Sequence, residues 1–281
     1  MSTANLKEAT LEELVENINS NAARLNSFKA TVDIDPSVVV EQKKGKAIAK
    51  DYPQLRGVVW ARKPEMLRMV VLAPVVRNTW ADMVSDSHSF KLSVPPRREF
   101  RVGSNRLVGK PSANPLENVR PQHIKDALLL KPIDPAAGEI AILEDGMEIV
   151  TDAKGHKDVQ QPTYVVTVIA KDQKGYYLSR KVVFSRTDLL PHQQLIYDRD
   201  GRVVTEAHYE NFTDHGGIMF PDIIRIHRPI ENYTLTLSVV KLNLNEPLTD
   251  DQFMLAQPSG FKLIDMDAKG ESGEGEAELR R

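Results

Sequence analysis

Cysteine is absent from this chain of 281 residues. That excludes disulfides, thiolate chemistry and Cys-ligated zinc or iron–sulfur centres. Neither sign of charge is in excess: 37 basic against 39 acidic residues leave a net charge of −2. Nucleic acid, which needs a basic excess on one face, therefore has no electrostatic case. No run of about 18 apolar residues occurs, so no helix can span a membrane. The start, MSTANLKEATLEEL, has no apolar signal core. It fits a cytosolic protein, or a mature or trimmed form with an added Met. Gly216-Gly217 lacks the following helix that a phosphate cradle needs, and no GxSxG or HExxH string is present.

The seven histidines, His88, His123, His156, His192, His208, His215 and His227, are scattered without metal-ligand spacing. Ser85, Asp86 and His88 lie close together. Triad members, however, converge from distant positions, and Asp and Ser at a turn bond their own backbone. No carboxylate pair has a reason to share a substrate. No catalytic residue, cofactor or metal is implied.

What is present is a β pattern between helices. Thr10 and Glu13 form a capping box. Leu11, Leu14, Val15, Ile18, Ala22, Leu25 and Phe28 follow at helical spacing, predicting an amphipathic helix. From Phe28 the period becomes two, and Pro36 is expected to break the run. Strands are predicted at 38–50, 55–63, 66–73, 79–85 and 88–94. Residues 109–135 hold five prolines, and Pro121–Leu130 reads as a second helix with Pro in its first turn. Further strands are predicted at 139–150, 162–171, 176–185, 192–199, 202–211, 217–227 and 233–244. In the last of these the apolar parity slips from Leu235, Leu237 and Val239 to Val240, Leu242 and Leu244, the mark of a β-bulge. Short strands with turn signals predict an antiparallel meander.

Leu55–Pro95 carries apolar side chains on both strand faces, as do Tyr164–Ile169 and Ile223–Ile226. Two architectures satisfy that pattern. One is a sandwich or closed barrel packed by its own side chains. The other is an open barrel whose concave face is covered by the two helices.

The string LRGVVWARKPEMLRMVVLAP followed by DMVSDSHSFKLSVPP resembles the LolA/LolB superfamily of bacterial lipoprotein carriers and receptors. It looks closest to uncharacterised LolB-like envelope lipoproteins. The order of a leading helix and strands ending at Lys63-Pro64, Ala73-Pro74 and Val94-Pro95 agrees, as does the Val84-Ser85-Asp86-Ser87 turn. The resemblance implies a mainly β (α+β) fold: an incomplete antiparallel β-barrel with N-terminal and mid-chain helices packed on the concave face. It covers residues 10–264 as one domain, after an N-terminal arm at 1–9 and before an acidic tail at 265–281 that composition predicts to be disordered.

The resemblance further implies a non-catalytic, periplasmic protein, tethered to or facing the outer membrane, that binds lipid or lipoprotein acyl chains as a monomer. A stress sensor or scaffold of the same fold, without lipid transfer, is the alternative. The expected cavity lining is Leu14, Ile18, Leu25, Trp60, Leu67, Met69, Val71, Phe90 and Leu92. Arg62 and Lys63 occupy the basic-Pro step that touches a lid in the carriers. Val75 and Val76 occupy the membrane-contact position of the receptors.

Overall fold

The computed structural model describes residues 5–41, 47–74, 78–105, 118–150 and 159–267. In chain order its elements are α1 (Leu11–Arg24), β1 (Ser27–Glu41), β2 (Ala47–Asp51), β3 (Leu55–Arg62), β4 (Met66–Leu72), β5 (Thr79–Ser85), β6 (Ser89–Val94) and β7 (Glu99–Ser104). Then come α2 (Pro121–Leu128), β8 (Ile140–Val150), β9 (Val159–Asp172), β10 (Gly175–Ser185) and β11 (Pro191–Tyr197). The chain continues through β12 (Val203–Asp214), β13 (Met219–Arg228), β14 (Tyr233–Leu244) and β15 (Lys262–Asp265). The strand order does not return on itself, so the fold is the mainly β, incomplete-barrel class expected from sequence.

The capping box is made: Thr10 N donates to Glu13 Oε2 at 2.8 Å, and Glu13 N to Thr10 Oγ1 at 3.3 Å. The helix stops at Arg24, short of the predicted stripe. Asn245 Oδ1 takes the amides of Asn26 (2.8 Å) and Ser27 (3.4 Å), which draws the backbone into β1. Leu25 and Phe28 therefore leave the helix.

Pro36 does not break β1. It lies where the neighbouring strand changes from β3, paired up to Ile34, to β2, paired from Ser37. A missing N–H costs the ladder least at such a gap. The β14 bulge is where the parity slip placed it: Thr31 pairs with Lys241 and Val32 with Val239, leaving Val240 out.

The chain forms two compact units. Residues 1–24 and 129–229 make the first. Its sheet is a plain meander, β8 to β13 in sequence order. Leu14 and Ile18 of α1 are buried with Ile133, Tyr164, Val166, Val168, Val182 and Phe184. Polar residues of α1 clamp nearby backbone. Asn19 both donates to Ile133 O (2.9 Å) and accepts from Ile133 N (2.8 Å). Asn17, Asn21 and Arg24 donate to the carbonyls of Leu189, Met219 and Gly217.

Residues 25–128 and 230–281 make the second unit. Its order is β15-β7-β6-β5-β4-β3-β1-β14, with β2 beside β1 and β15 parallel to β7. Strands β7 and β15 were not predicted. Of the expected tail, Asp265 belongs to β15 and Asp267 Oδ2 accepts from Ser104 N at 2.7 Å. Residues 268–281 lie outside the described residues.

Candidate functional site

Directly paired residues of an antiparallel sheet share a face. In the second unit, Leu67 pairs with Ala61 and Ser85, Met69 with Val59 and Met83, and Val71 with Gly57 and Ala81. Phe90 and Leu92 join the same face through Ser85 and Met83, and Phe28, Ala30 and Val32 through β3. This inner face is apolar across β1, β3, β4, β5 and part of β6. It turns ionic at β7, where Leu92 pairs with Arg101. Arg101 is buried and bonds Glu99 at 2.6 Å. Gly103 lets the Phe90 ring lie flat against β7: a Cβ there would stand 2.8 Å from Phe90 Cε1.

Helix α2 covers β4 and β5. Its apolar contribution is small: Pro121, Ile124 and Ala127 are buried. Polar contacts hold its rim. Lys125 forms an ion pair with Glu65 of the β3–β4 turn. His123 Nδ1 lies 3.0 Å from Tyr233 Oη. Arg120, just before the helix, donates to Ser104 O at 3.0 Å and stacks over Phe90 at 5.3 Å. An eight-residue helix is marginal by itself, so these contacts decide whether it stays seated.

Of the expected lining, Leu67, Met69, Val71 and Phe90 come together on this face and are buried, with Leu92 beside them and partly exposed. Leu14 and Ile18 pack within the first unit, while buried Leu25 belongs to the second.

Trp60 is a correction. It pairs with Arg68 and Lys29, one residue out of phase with Leu67 and Met69, so it lies on the opposite face. There it stands 5.8 Å from the Lys29 ammonium and 6.0 Å from the Arg68 guanidinium.

Arg62 is a second correction, because it shares the face of Trp60. It donates to Leu248 O (2.6 Å), pairs with Asp250 (2.5 Å) and stacks over the Phe253 ring at 5.0 Å. Together with Arg68, which donates to Gln252 O at 3.0 Å, it fastens the C-terminal segment to the outer face. Lys63 gives its backbone N–H to Asn26 O at 2.9 Å, and partial burial lowers the pKa of its ammonium. The contact from this turn to α2 is made by Glu65, which sequence reasoning missed. Val75 and Val76 lie outside the described residues.

The Ser85–His88 segment is a turn. Asp86 Oδ1 takes the amides of His88 (2.7 Å) and Ser89 (2.8 Å). Burial pushes the Asp86 carboxyl up, but these two hydrogen bonds and the His88 and Lys91 charges outweigh it and hold the pKa below its ordinary value. Ser85 Oγ bonds Asn105, and Ser87 Oγ lies 2.6 Å from His88 Nδ1. The carboxylate thus meets backbone rather than the imidazole, which is not a charge-orienting relay. Among the described residues, no three His, Asp or Glu side chains come together to hold a metal ion.

A family model described as an uncharacterized protein matches residues 145–257. No curated protein matches the chain in sequence. Among solved structures, a LolA superfamily protein from Nitrosomonas europaea is 16% identical, with a TM-score of 0.50 over 88% of this chain and 99% of its own. A DUF1329 family protein from Desulfovibrio piger is 13% identical, with a TM-score of 0.51 over 86% of this chain and 94% of its own. With its unclosed, mainly antiparallel strand order, the chain has a LolA/LolB-like fold.

Proposed function

We propose that this protein is a non-catalytic component of the bacterial envelope, periplasmic or held at the outer membrane. On this reading it binds the acyl chains of lipids or lipoproteins on the inner face of its second unit, for transfer or insertion. Leu67, Met69, Val71, Phe90 and Leu92 form the contact surface, and α2 is the removable cover. Leu14, Ile18 and the rest of α1 are fixed structure, because their clamps tie the helix to its own unit.

One observation carries the reading: over β4 and β5 the apolar sheet face is covered by a helix that contributes little apolar surface of its own. Lifting α2 exposes Ile124 and Ala127 and the strand residues beneath them. Ile124 accounts for about 2–3 kcal/mol of transfer free energy and Ala127 for less than about 1. A 16-carbon chain on the uncovered face would bring on the order of 12 kcal/mol gross at about 0.8 kcal/mol per methylene. A membrane offers the chain a similar gain, so a small differential set by the cover decides which way it moves.

Native mass spectrometry of protein purified without detergent, followed by titration with a fluorescent fatty acid, tests this. Co-purifying acyl species, or saturable uptake at one site, are expected. A clean apo mass with no uptake overturns it. The second reading, a scaffold or sensor with a permanently sealed interior, is favoured by the complete burial of Leu67 and Met69 and would be left standing by that result.

A further inference from the structure

We propose that the free edge of β8 docks an extended polypeptide segment of basic and apolar side chains, which joins the sheet of the first unit as an added strand. This stands independently of the acyl-chain reading. Strand β8 ends the strand order, and among the described residues nothing pairs with its outer edge. It runs for 11 residues in unbroken register with β9, from Ile140↔Ile169 to Val150↔Val159. Exposed sheet edges are normally blunted by shortness, bulges, proline or charged side chains, lysine above all. Strand β8 is long, unbulged and without proline or lysine, and its only charges are three carboxylates, which repel an acidic strand but not a basic one. The four-residue edge strand β15 shows the usual solution, being short and carrying Lys262.

Ala141 and Leu143 pack on the core of the unit, but four apolar side chains of β8 are left in solvent: Ile140 is 46% exposed, Ile142 44%, Met147 59% and Ile149 67%. Between them stand three carboxylates. Glu144 accepts from Thr167 Oγ1 and faces Lys181. Asp145 and Glu148 have no ion-pair partner among the described residues.

This charge pattern selects the occupant. Two copies of β8 paired antiparallel about Gly146 would set Glu144 opposite Glu148. Pairing them about Asp145 would set that residue opposite itself. Like charges directly opposite destabilise a pair, so these registers are closed to a second copy, whereas a basic strand finds carboxylates of opposite charge along the edge. A strand with Lys or Arg interleaved among apolar residues meets both demands. Its main chain supplies the ladder, and its side chains supply specificity.

The test uses a fluorescent peptide of about ten residues with alternating Lys and Val, a length matched to an ordinary strand. Three comparisons accompany it: an N-methylated version, a Glu/Val version, and the variant Asp145→Lys/Glu148→Lys. Binding of the Lys/Val peptide by anisotropy is expected, with new amide-exchange protection in β8 and loss of binding on N-methylation. Asp145 and Glu148 lie on opposite faces of β8, so the alternating peptide sets Lys opposite only one of them. The variant should therefore weaken binding about fivefold, the scale of one charge pair reversed, and should gain affinity for the Glu/Val peptide. Equal binding of the N-methylated peptide would reduce the effect to surface charge and overturn the proposal. So would an unaffected variant, or sedimentation showing that the free protein dimerises through β8.

Discussion

Exchanging Glu65 for Gln should unseat α2 far more than exchanging Lys125 for Met, although both remove the same ion pair. The Lys125 side chain is 8% exposed and that of Glu65 34%. Glu65→Gln therefore removes one charged partner of a cation nine-tenths buried that keeps other contacts, and breaking a buried pair costs up to ~3–5 kcal/mol. Those contacts, and screening on the Glu65 side, reduce that to about 2 kcal/mol. Lys125→Met instead removes the ammonium that was costly to bury, keeps an apolar stem, and leaves a carboxylate that solvent reaches. It should change the seating by under about 0.5 kcal/mol. The double variant should return close to the Lys125→Met value, because the penalty belongs to the pair.

About 2 kcal/mol is roughly a thirtyfold rise in the open population. Amide exchange should show protection falling by that factor over Ile124–Leu128 and staying constant in β4. Fluorescent acyl uptake should accelerate in step. Equal effects of the two single variants would refute the buried-cation argument. Protection lost equally from β3 and β4 would show α2 to be core rather than cover. Faster exchange without faster uptake would sink α2 as the gate.

Asn19→Ala removes both hydrogen bonds to the Ile133 backbone. It should cost about 2 kcal/mol in urea unfolding, and a loss under about 0.5 would mean that α1 is held by its apolar stripe alone. Phe253→Ala deletes a buried ring stacked by Arg62 and should cost up to ~3 kcal/mol. Protease cleavage should appear between Leu248 and Lys262 while β3 and β4 stay intact; an unchanged digestion pattern would contradict the fastening described for this segment. For Asp188, burial pushes the carboxyl up, but hydrogen bonds from His192 and the Leu190 amide, with the His192 and Lys7 charges, outweigh it and hold its pKa below the ordinary value. A carboxyl lowered in the folded state stabilises fully above its unfolded value near about pH 4, and the contribution disappears as pH falls through the lower folded value. Asp188→Asn should therefore be less stable than the parent at neutral pH, with the gap closing below about pH 4. A gap that stays constant down to acid would refute this.

The elements with strong local signals were legible in the sequence. Thr10 and Glu13 announced the start of α1, the parity slip at Val240 announced the bulge, and Pro121 announced α2. Strand β7, EFRVGS, escaped because Glu99 and Arg101 look like solvent-facing charges, yet Arg101 is buried against Glu99. Strand β15 has four residues and exists through parallel pairing with β7, which leaves no local pattern. The Glu65–Lys125 contact joins positions far apart in the chain, and no spacing rule reaches across such a gap. The clamps of Asn17, Asn19 and Asn21 read as a polar helix face because a side chain bonding a carbonyl and one bonding water look alike in sequence.

The double-sided apolar pattern of Leu55–Pro95 was the most informative signal, and only half of its explanation was correct. A sheet greasy on both faces needs two covers, and the helices were assigned as the cover of a single cavity that included Trp60. In the second unit, α2 lies on the face of Leu67 and Met69. The face of Val58, Trp60 and Val70 is met by the C-terminal segment, with Phe253 buried and held through Arg62 and Arg68. Strand parity alone cannot say which face is which when both are apolar, since a shift of one residue exchanges them. The deciding information lies in residues 246–265, where Phe253 meets Arg62 of β3 and the neighbouring Gln252 carbonyl meets Arg68 of β4. The two covers also differ in kind. The outer one is fastened by Arg62 and Arg68 to Leu248 O, Gln252 O and Asp250, with Arg62 stacked over Phe253. The inner one is fastened by the Lys125–Glu65 pair, by His123 against Tyr233 and by Arg120 over Phe90.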